Sequence, residues 1–270
     1  MRRIIYTIIL LIVLILLYGF YFNIKGLKIK EYTIESESIP KTFEELKFIH
    51  FSDILYKSTT TEDDVKNMIK NINKQNADII FFTGDLFSKE HKPSKDDIKY
   101  LTKQFKKINA TQYKFAIIGD SDKKYLNEYK EVLDKSDFIL LDDKNFLLFY
   151  KDINPINIIG LSNENKLVEL LTTDINYKYS IVLTHKPDIF KNINNKNIDL
   201  VLSGHSLNGQ IRIPFVGGVI KRDGSKNYID NHYSENNTEM YVSNGLGTIK
   251  YKVRLFNKPS INLYRFNKKA

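Results

Sequence analysis

Five short apolar runs in this 270-residue chain stop abruptly at or beside an aspartate or a histidine, and no other feature limits the possible folds as much. Leu46 to Phe51, apolar apart from Lys47 and His50, ends at Ser52-Asp53. Asp78 to Thr83 ends at Gly84-Asp85, Tyr113 to Ile118 at Gly119-Asp120, Tyr179 to Thr184 at His185, and Ile198 to Leu202 before Gly204-His205. Runs of this length and character read as buried strands. Helical patterns lie between them. Thr61 before Glu62-Asp63-Asp64 is an N-cap with an acidic first turn, and Val65, Met68, Ile69 and Ile72 form a stripe at helical spacing. Further helices are expected near Ser94 to Lys107, Lys123 to Leu133 and Lys166 to Leu171. Further strands are expected near Tyr32 to Ser36, Phe138 to Leu141, Phe146 to Tyr150, Ile156 to Ile159, Met240 to Val242 and Ile261 to Phe266. The alternation predicts one layered α/β domain, with β-sheets flanked by helices and polar residues gathered where strands end, the edge at which open α/β sheets hold ligands.

A carboxylate at one strand end is usually only a turn residue. Five such ends, marked by Asp53, Asp85, Asp120, His185 and His205, form a pattern, because carboxylate oxygen and imidazole nitrogen together suit Mn, Fe or Zn. Cysteine is absent, which excludes disulfides and thiolate metal sites.

The N-terminus reads differently. From Ile4 to Phe22 no charge interrupts nineteen largely apolar positions, which as a helix would span ~28 Å, close to a ~30 Å hydrocarbon core. A single membrane-spanning helix is expected, making residues 1–30 an anchor and short linker and residues 31–270 the folded domain. A cleaved signal peptide is the alternative, although the stretch is long for one and no small-x-small site follows it. Arg2 and Arg3 favour a cytoplasmic N-terminus, but Lys25, Lys28 and Lys30 beyond the stretch nearly cancel that bias. Those five account for much of the formal charge of +9; the other 36 basic residues face 32 acidic ones, a solvated surface with no nucleic-acid footprint.

The ordered string Ser52-Asp53-Ile54-Leu55, Gly84-Asp85, Gly119-Asp120-Ser121-Asp122, Thr184-His185-Lys186-Pro187 and Gly204-His205-Ser206-Leu207-Asn208-Gly209-Gln210 resembles the calcineurin-like metallophosphoesterases, and most of all their membrane-anchored bacterial branch. The family's motifs read Asp-x-His, Gly-Asp, Gly-Asn-His-Asp, His-x-Pro and Gly-His-Thr-His-Gly-Gly-Gln. The segment Tyr241 to Thr248 and Asn257-Lys258-Pro259 extend the resemblance, which runs from about Leu46 to Phe266. It implies a metallophosphoesterase-type fold and a phosphoric ester hydrolase in which two metal ions ~3.5 to 4 Å apart clamp the phosphate.

Carried over by position, the resemblance implies that the first ion would take Asp53, Asp85 and two histidines that are Leu55 and Leu207 here. The second would take Asp85, Asp120 (an asparagine in the family), His185 and His205, a complete set. The histidine that protonates the leaving group is Ser121, which cannot act as an acid near neutral pH. One divalent ion (Mn, Fe or Zn) is therefore expected in place of two. Set against Asp53, Asp85 and Asp120, that ion leaves about −1 where the full site has about +2, a swing expected to repel phosphate. Losing a general acid alone typically costs ~10² to 10⁴ in rate. The resulting expectation is a membrane-tethered, pseudoenzyme-like protein that binds an envelope partner or a phosphate ester with weak or absent hydrolysis. An active single-metal hydrolase of a lipid-linked or other envelope phosphate ester is the alternative. Similarity to tethered relatives implies an extracytoplasmic domain. Three other residues receive bland readings: His50, three positions before Asp53, points to the opposite face; His91 and His232 lie in polar surface stretches; and Asp122 stabilises a turn.

Overall fold

The structure is a computed structural model that describes residues 1–173 and 175–269. Its first half supplies β1 (Lys28–Ser36), β2 (Lys47–Phe51), β3 (Ile79–Phe82), β4 (Tyr113–Ala116) and β5 (Ile139–Leu140), with helices α1 (Arg2–Leu17), α2 (Glu62–Lys74), α3 (Lys95–Phe105) and α4 (Leu126–Asp134). The second half supplies β6 (Lys144–Leu148), β7 (Ile156–Gly160), β8 (Tyr179–Thr184), β9 (Leu200–Ser203), β10 (Arg212–Ile213), β11 (Gly217–Gly218), β12 (His232–Glu235), β13 (Thr238–Val242) and β14 (Ser260–Lys268). Two short helices, α5 (Leu167–Leu171) and α6 (Phe190–Ile193), complete it.

Among the described residues the strands form two six-stranded sheets, ordered β1-β14-β2-β3-β4-β5 and β12-β13-β9-β8-β7-β6, and a separate β10-β11 ribbon. Period-two alternation explains how the first sheet is covered. Ile80 and Phe82 of β3 face the core shared with α2, α3 and α4, while Ile79 and Phe81 face the core between the sheets. Phe48, Phe81 and Tyr264 meet in that inter-sheet layer, with Phe48 stacked on Tyr264 at 4.7 Å and edge-on to Phe81 at 5.5 Å. Full burial of each such ring contributes roughly 1.5–3 kcal/mol. A third core, with Phe190, Ile193 and Leu167, covers the outer face of the second sheet.

Helix α2 starts where its Thr61–Asp64 capping box closes, and α3 where the Ser94–Asp97 box does the same. Two details differ from the sequence reading. The strand expected from Tyr32 begins at Lys28, because all nine residues of β1 pair in parallel with β14. The polar stretch around His232 is itself a strand, β12, which pairs only with β13 at a sheet edge and needs no apolar alternation there. His232 is exposed, as expected, and His91 is partly exposed. His50 is buried and bonds Thr83 through Nε2 at 2.9 Å, and burial pushes its pKa down to about 3.

At the N-terminus α1 continues through Phe22, giving a 21-residue helix long and apolar enough to cross a membrane, with little of it buried against the protein. A signal sequence would pass the same test of length and composition.

Candidate metal centre

Strands β2, β3 and β4 run parallel in the first sheet, as do β7, β8, β9 and β13 in the second. The two sheets deliver their carboxyl ends to a common edge. There Gly204 N–H donates to the His185 carbonyl, and His185 Nδ1–H donates across the sheets to the Thr83 carbonyl at 2.7 Å. The chain turns sharply just after these strands: Asp53, Leu55, Asp85, His205 and Leu207 all have left-handed backbones, with φ between 50° and 65°. That conformation is uncommon for a non-glycine residue.

Among the described residues Asp85, His185 and His205 converge, each offering one ligand atom, all within 4.8 Å of one another. His185 Nε2 lies 3.3 Å from Asp85 Oδ2 and 3.2 Å from His205 Nδ1. Ligands held at ~2.0–2.2 Å by a common ion would stand about this far apart. The tautomers fit as well. His185 Nδ1 is committed to the Thr83 carbonyl and His205 Nε2 to the Asp223 carbonyl at 2.8 Å, so each neutral ring turns a lone pair toward Asp85. Carbonyls in this outer role orient ligand histidines in metal sites generally.

Burial works against a charged His185, but the Asp85 and Asp53 carboxylates outweigh it and raise its pKa to about 9. Burial and the neighbouring His185 and Arg222 charges push His205 down to about 3. Asp85 stays ionised: burial opposes this, but His185 and the Ser121 amide bring it down to about 2.

The other sequence-predicted residues take different positions. Asp53 lies outside the group of three; one of its oxygens, Oδ2, accepts from Ser52 and from the His205 amide at 2.9 Å. The other, Oδ1, is buried with no hydrogen-bond partner among the described residues, the kind of orphan a cation would satisfy. Asp120 is half-buried and held by lysines, Lys186 at 2.7 Å and Lys123 at 3.1 Å. Burial would raise its pKa, yet those two bonds hold it well below the usual carboxylate range. Ser121 donates its amide to Asp85 Oδ1 at 2.7 Å and its hydroxyl to Asp85 Oδ2 at 3.1 Å, so it orients the central carboxylate. Asp122 takes the turn role expected of it, accepting from the amides of Asp85, Leu86, Phe87 and Gly119.

Leu55 and Leu207 are buried against the Asn244–Thr248 loop. Gly245 (φ +64°) is needed there, since a Cβ would collide with Leu207 and Asp53. Behind the loop Arg254, fully buried, donates to the carbonyls of Asn244, Gly245 and Gly247.

Sequence reasoning missed four cations here. Lys186 and Lys123 flank Asp120, Arg222 donates to the His205 carbonyl and favours the ionised forms of Asp53, against its burial, and of Asp85, and Arg254 stands behind Asp53. A count limited to ligand carboxylates therefore overstates the negative charge. A cleft of about 460 Å³ opens beside the group, lined by Asp120, Lys123, His185, Lys186, Asn163 and Asn192 among others. Only Lys186 carried a sequence signal, as a neighbour of His185; the others lie in unremarkable basic stretches.

Two large sheets with flanking helices bring Asp85, His185 and His205 together at their strand ends, a layered α/β fold with a group that could hold a metal ion. A calcineurin-like phosphoesterase family model matches residues 46–209, and the chain belongs to that family. It is 28% identical over 259 residues to the uncharacterized metallophosphoesterase YkuE of Bacillus subtilis (strain 168), covering 92% of this chain and 88% of that one. It is 30% identical over 248 residues to an uncharacterized metallophosphoesterase of Aquifex aeolicus (strain VF5), covering 87% and 90%. A shorter match, 30% over 83 residues, covers 31% of this chain and 30% of the phosphodiesterase YaeI of Escherichia coli (strain K12).

Proposed function

We propose that this chain is a membrane-tethered metallophosphoesterase-family protein whose two-metal centre is reduced to one ion position, and that it binds a phosphate-ester ligand or an envelope partner with weak or no hydrolysis. The convergence of Asp85, His185 and His205, each imidazole already turned by a carbonyl, carries this reading. Asp120 stands at the rim and Asp53 offers an unpartnered oxygen, so these residues could hold one divalent ion, which would supply Lewis-acid polarisation of a phosphoryl oxygen. The position of the first ion is supported less well, because Leu55 and Leu207 can donate nothing. Ser121 gives no proton to a leaving group, since its hydroxyl is spent on Asp85. The 21-residue apolar helix supports tethering, with the domain outside the cytoplasm by analogy to tethered relatives.

A second reading, an active single-metal phosphodiesterase, is favoured by one observation. Lys123, Lys186 and Arg222 bring positive charge to the site, which would draw a phosphate in and steady it without a second ion. The name phosphodiesterase given to YaeI points the same way. Metal analysis of the detergent-purified full chain, combined with an aryl phosphodiester assay, separates the readings. One ion and no cleavage is expected; two ions with Mn-dependent cleavage would overturn the proposal, and one ion with cleavage would establish the second reading.

A further inference from the structure

The β10–β11 ribbon is the part of the domain whose surface chemistry the metal centre does not explain. Each strand has two residues and pairs only with the other, so the ribbon joins neither large sheet. Its connecting turn carries Pro214, Phe215 and Val216. Phe215 is fully exposed, Val216 is 73% exposed, and Ile213 and Val219 are also exposed. Nothing in the folding of the domain calls for apolar side chains on such a tip, and a contiguous apolar patch of this kind marks an interaction site.

Its neighbours indicate what it meets. Arg212 N–H bonds the Leu255 carbonyl at 2.9 Å, and Phe256 shares with the ribbon a cleft also lined by Phe215 and Val216. Phe256 and Tyr251 are exposed as well. The same loop grips the end of the apolar N-terminal helix: the Phe256 ring lies 6.0 Å from that of Tyr18, and Arg254 N–H donates to the Gly19 carbonyl at 3.2 Å. Exposed Lys221, Lys250 and Lys252 stand near the patch in sequence, and exposed Lys25 follows the end of the N-terminal helix.

We propose that the Ile213–Val219 ribbon, with Tyr251 and Phe256, is a bilayer-contacting surface that seats the domain on the lipid headgroups where the N-terminal helix emerges. The inference rests on the tethered reading above. If the helix spans a bilayer, its docked end holds this patch at the interface, where aromatic rings and lysines are each favoured. The seating also reaches the metal centre. Gly209, at the end of the His205–Leu207 loop, packs against Gly218 of the ribbon, so the site is held at a fixed height above the headgroups.

The chain contains neither tryptophan nor cysteine, so a single introduced tryptophan reports its own surroundings. Full-length Leu10→Trp, Phe215→Trp and Ile153→Trp variants would be reconstituted in phosphatidylcholine–phosphatidylglycerol vesicles with brominated acyl chains. Leu10 lies in the helix, and Ile153 is an 82% exposed residue on a different loop. The expected result is strong quenching at position 10, blue-shifted emission at 215 quenched most by bromines near the headgroups, and no quenching at 153. Quenching at 10 without quenching at 215 overturns the seating and leaves the tether intact, whereas no quenching at 10 removes the tether and the seating with it. Equal quenching at 153 and 215 overturns the assignment of this particular face. A blue shift at 215 that follows protein concentration and ignores bromine marks a contact between two copies of the chain, which also overturns it.

Discussion

The two halves of the metal centre have similar backbones and opposite chemistry. On one side Asp85 and His205 turn in the left-handed region and, with His185, present three donors whose outer partners, the Thr83 and Asp223 carbonyls, are in place. On the other, Asp53, Leu55 and Leu207 adopt the same strained turn, with φ of 50° to 51°, and only Asp53 can donate. A leucine gains nothing from a left-handed backbone, which costs of order 1–3 kcal/mol where the surroundings enforce it. The enforcement is visible: Arg254 pins the Asn244–Gly247 carbonyls against Leu207, and Asn257 Nδ2–H holds the Leu207 carbonyl at 2.7 Å. The half with two leucines thus makes left-handed turns like those of the donor half, but holds them by packing in place of donor side chains.

If that comparison holds, returning His at positions 55, 121 and 207 together should have the largest effect. A second ion should bind and aryl phosphodiester cleavage should rise by about 10² to 10⁴, the usual worth of a positioned acid; a triple variant that folds, binds one ion and stays inactive would show that the leucine half no longer presents those positions. Next come two single variants that should part company. Asp85→Asn should lower divalent-metal affinity beyond the ~10–100-fold of an outer-shell partner, measured by isothermal titration calorimetry. Leu207→Ala should leave that affinity nearly unchanged while costing ~2–5 kcal/mol of stability, as core leucine truncations do; a large metal effect from Leu207→Ala would erase the distinction between the halves.

Acidity gives a smaller effect of definite sign. An ion must displace the proton on His185, so with its pKa raised to about 9 the apparent affinity for Mn should rise roughly tenfold per pH unit between 6.5 and 9, then flatten. In the metal-free protein the sign is opposite. The folded pKa lies above the ordinary 6.5, so the stabilisation is complete below about pH 6.5 and is lost as pH rises through 9, which thermal melts in chelator would follow. The smallest effect should come from Asp120→Ala, because that carboxylate is tied to Lys123 and Lys186: a loss of about tenfold or less is expected, within the range of outer partners. A loss matching that of Asp85→Asn would make Asp120 a full ligand.

Much of this was legible along the chain because it depends on local rules. Short continuous apolar runs located β2, β3, β8 and β9, the Thr61 cap and its apolar stripe located α2, and the abrupt ends of the runs put Asp53, Asp85, Asp120, His185 and His205 at strand ends. That Leu55 and Leu207 stand where the resemblance implies histidines was likewise a matter of reading positions. Tertiary structure alone decided the rest. Neighbouring strands β5 and β6 belong to different sheets, a split set by which faces find a partner across the core. The charge of the site was also decided there, because Arg222 and Arg254 approach Asp53 from about 170 and 200 residues away, and Coulomb interactions follow distance in space, not along the chain.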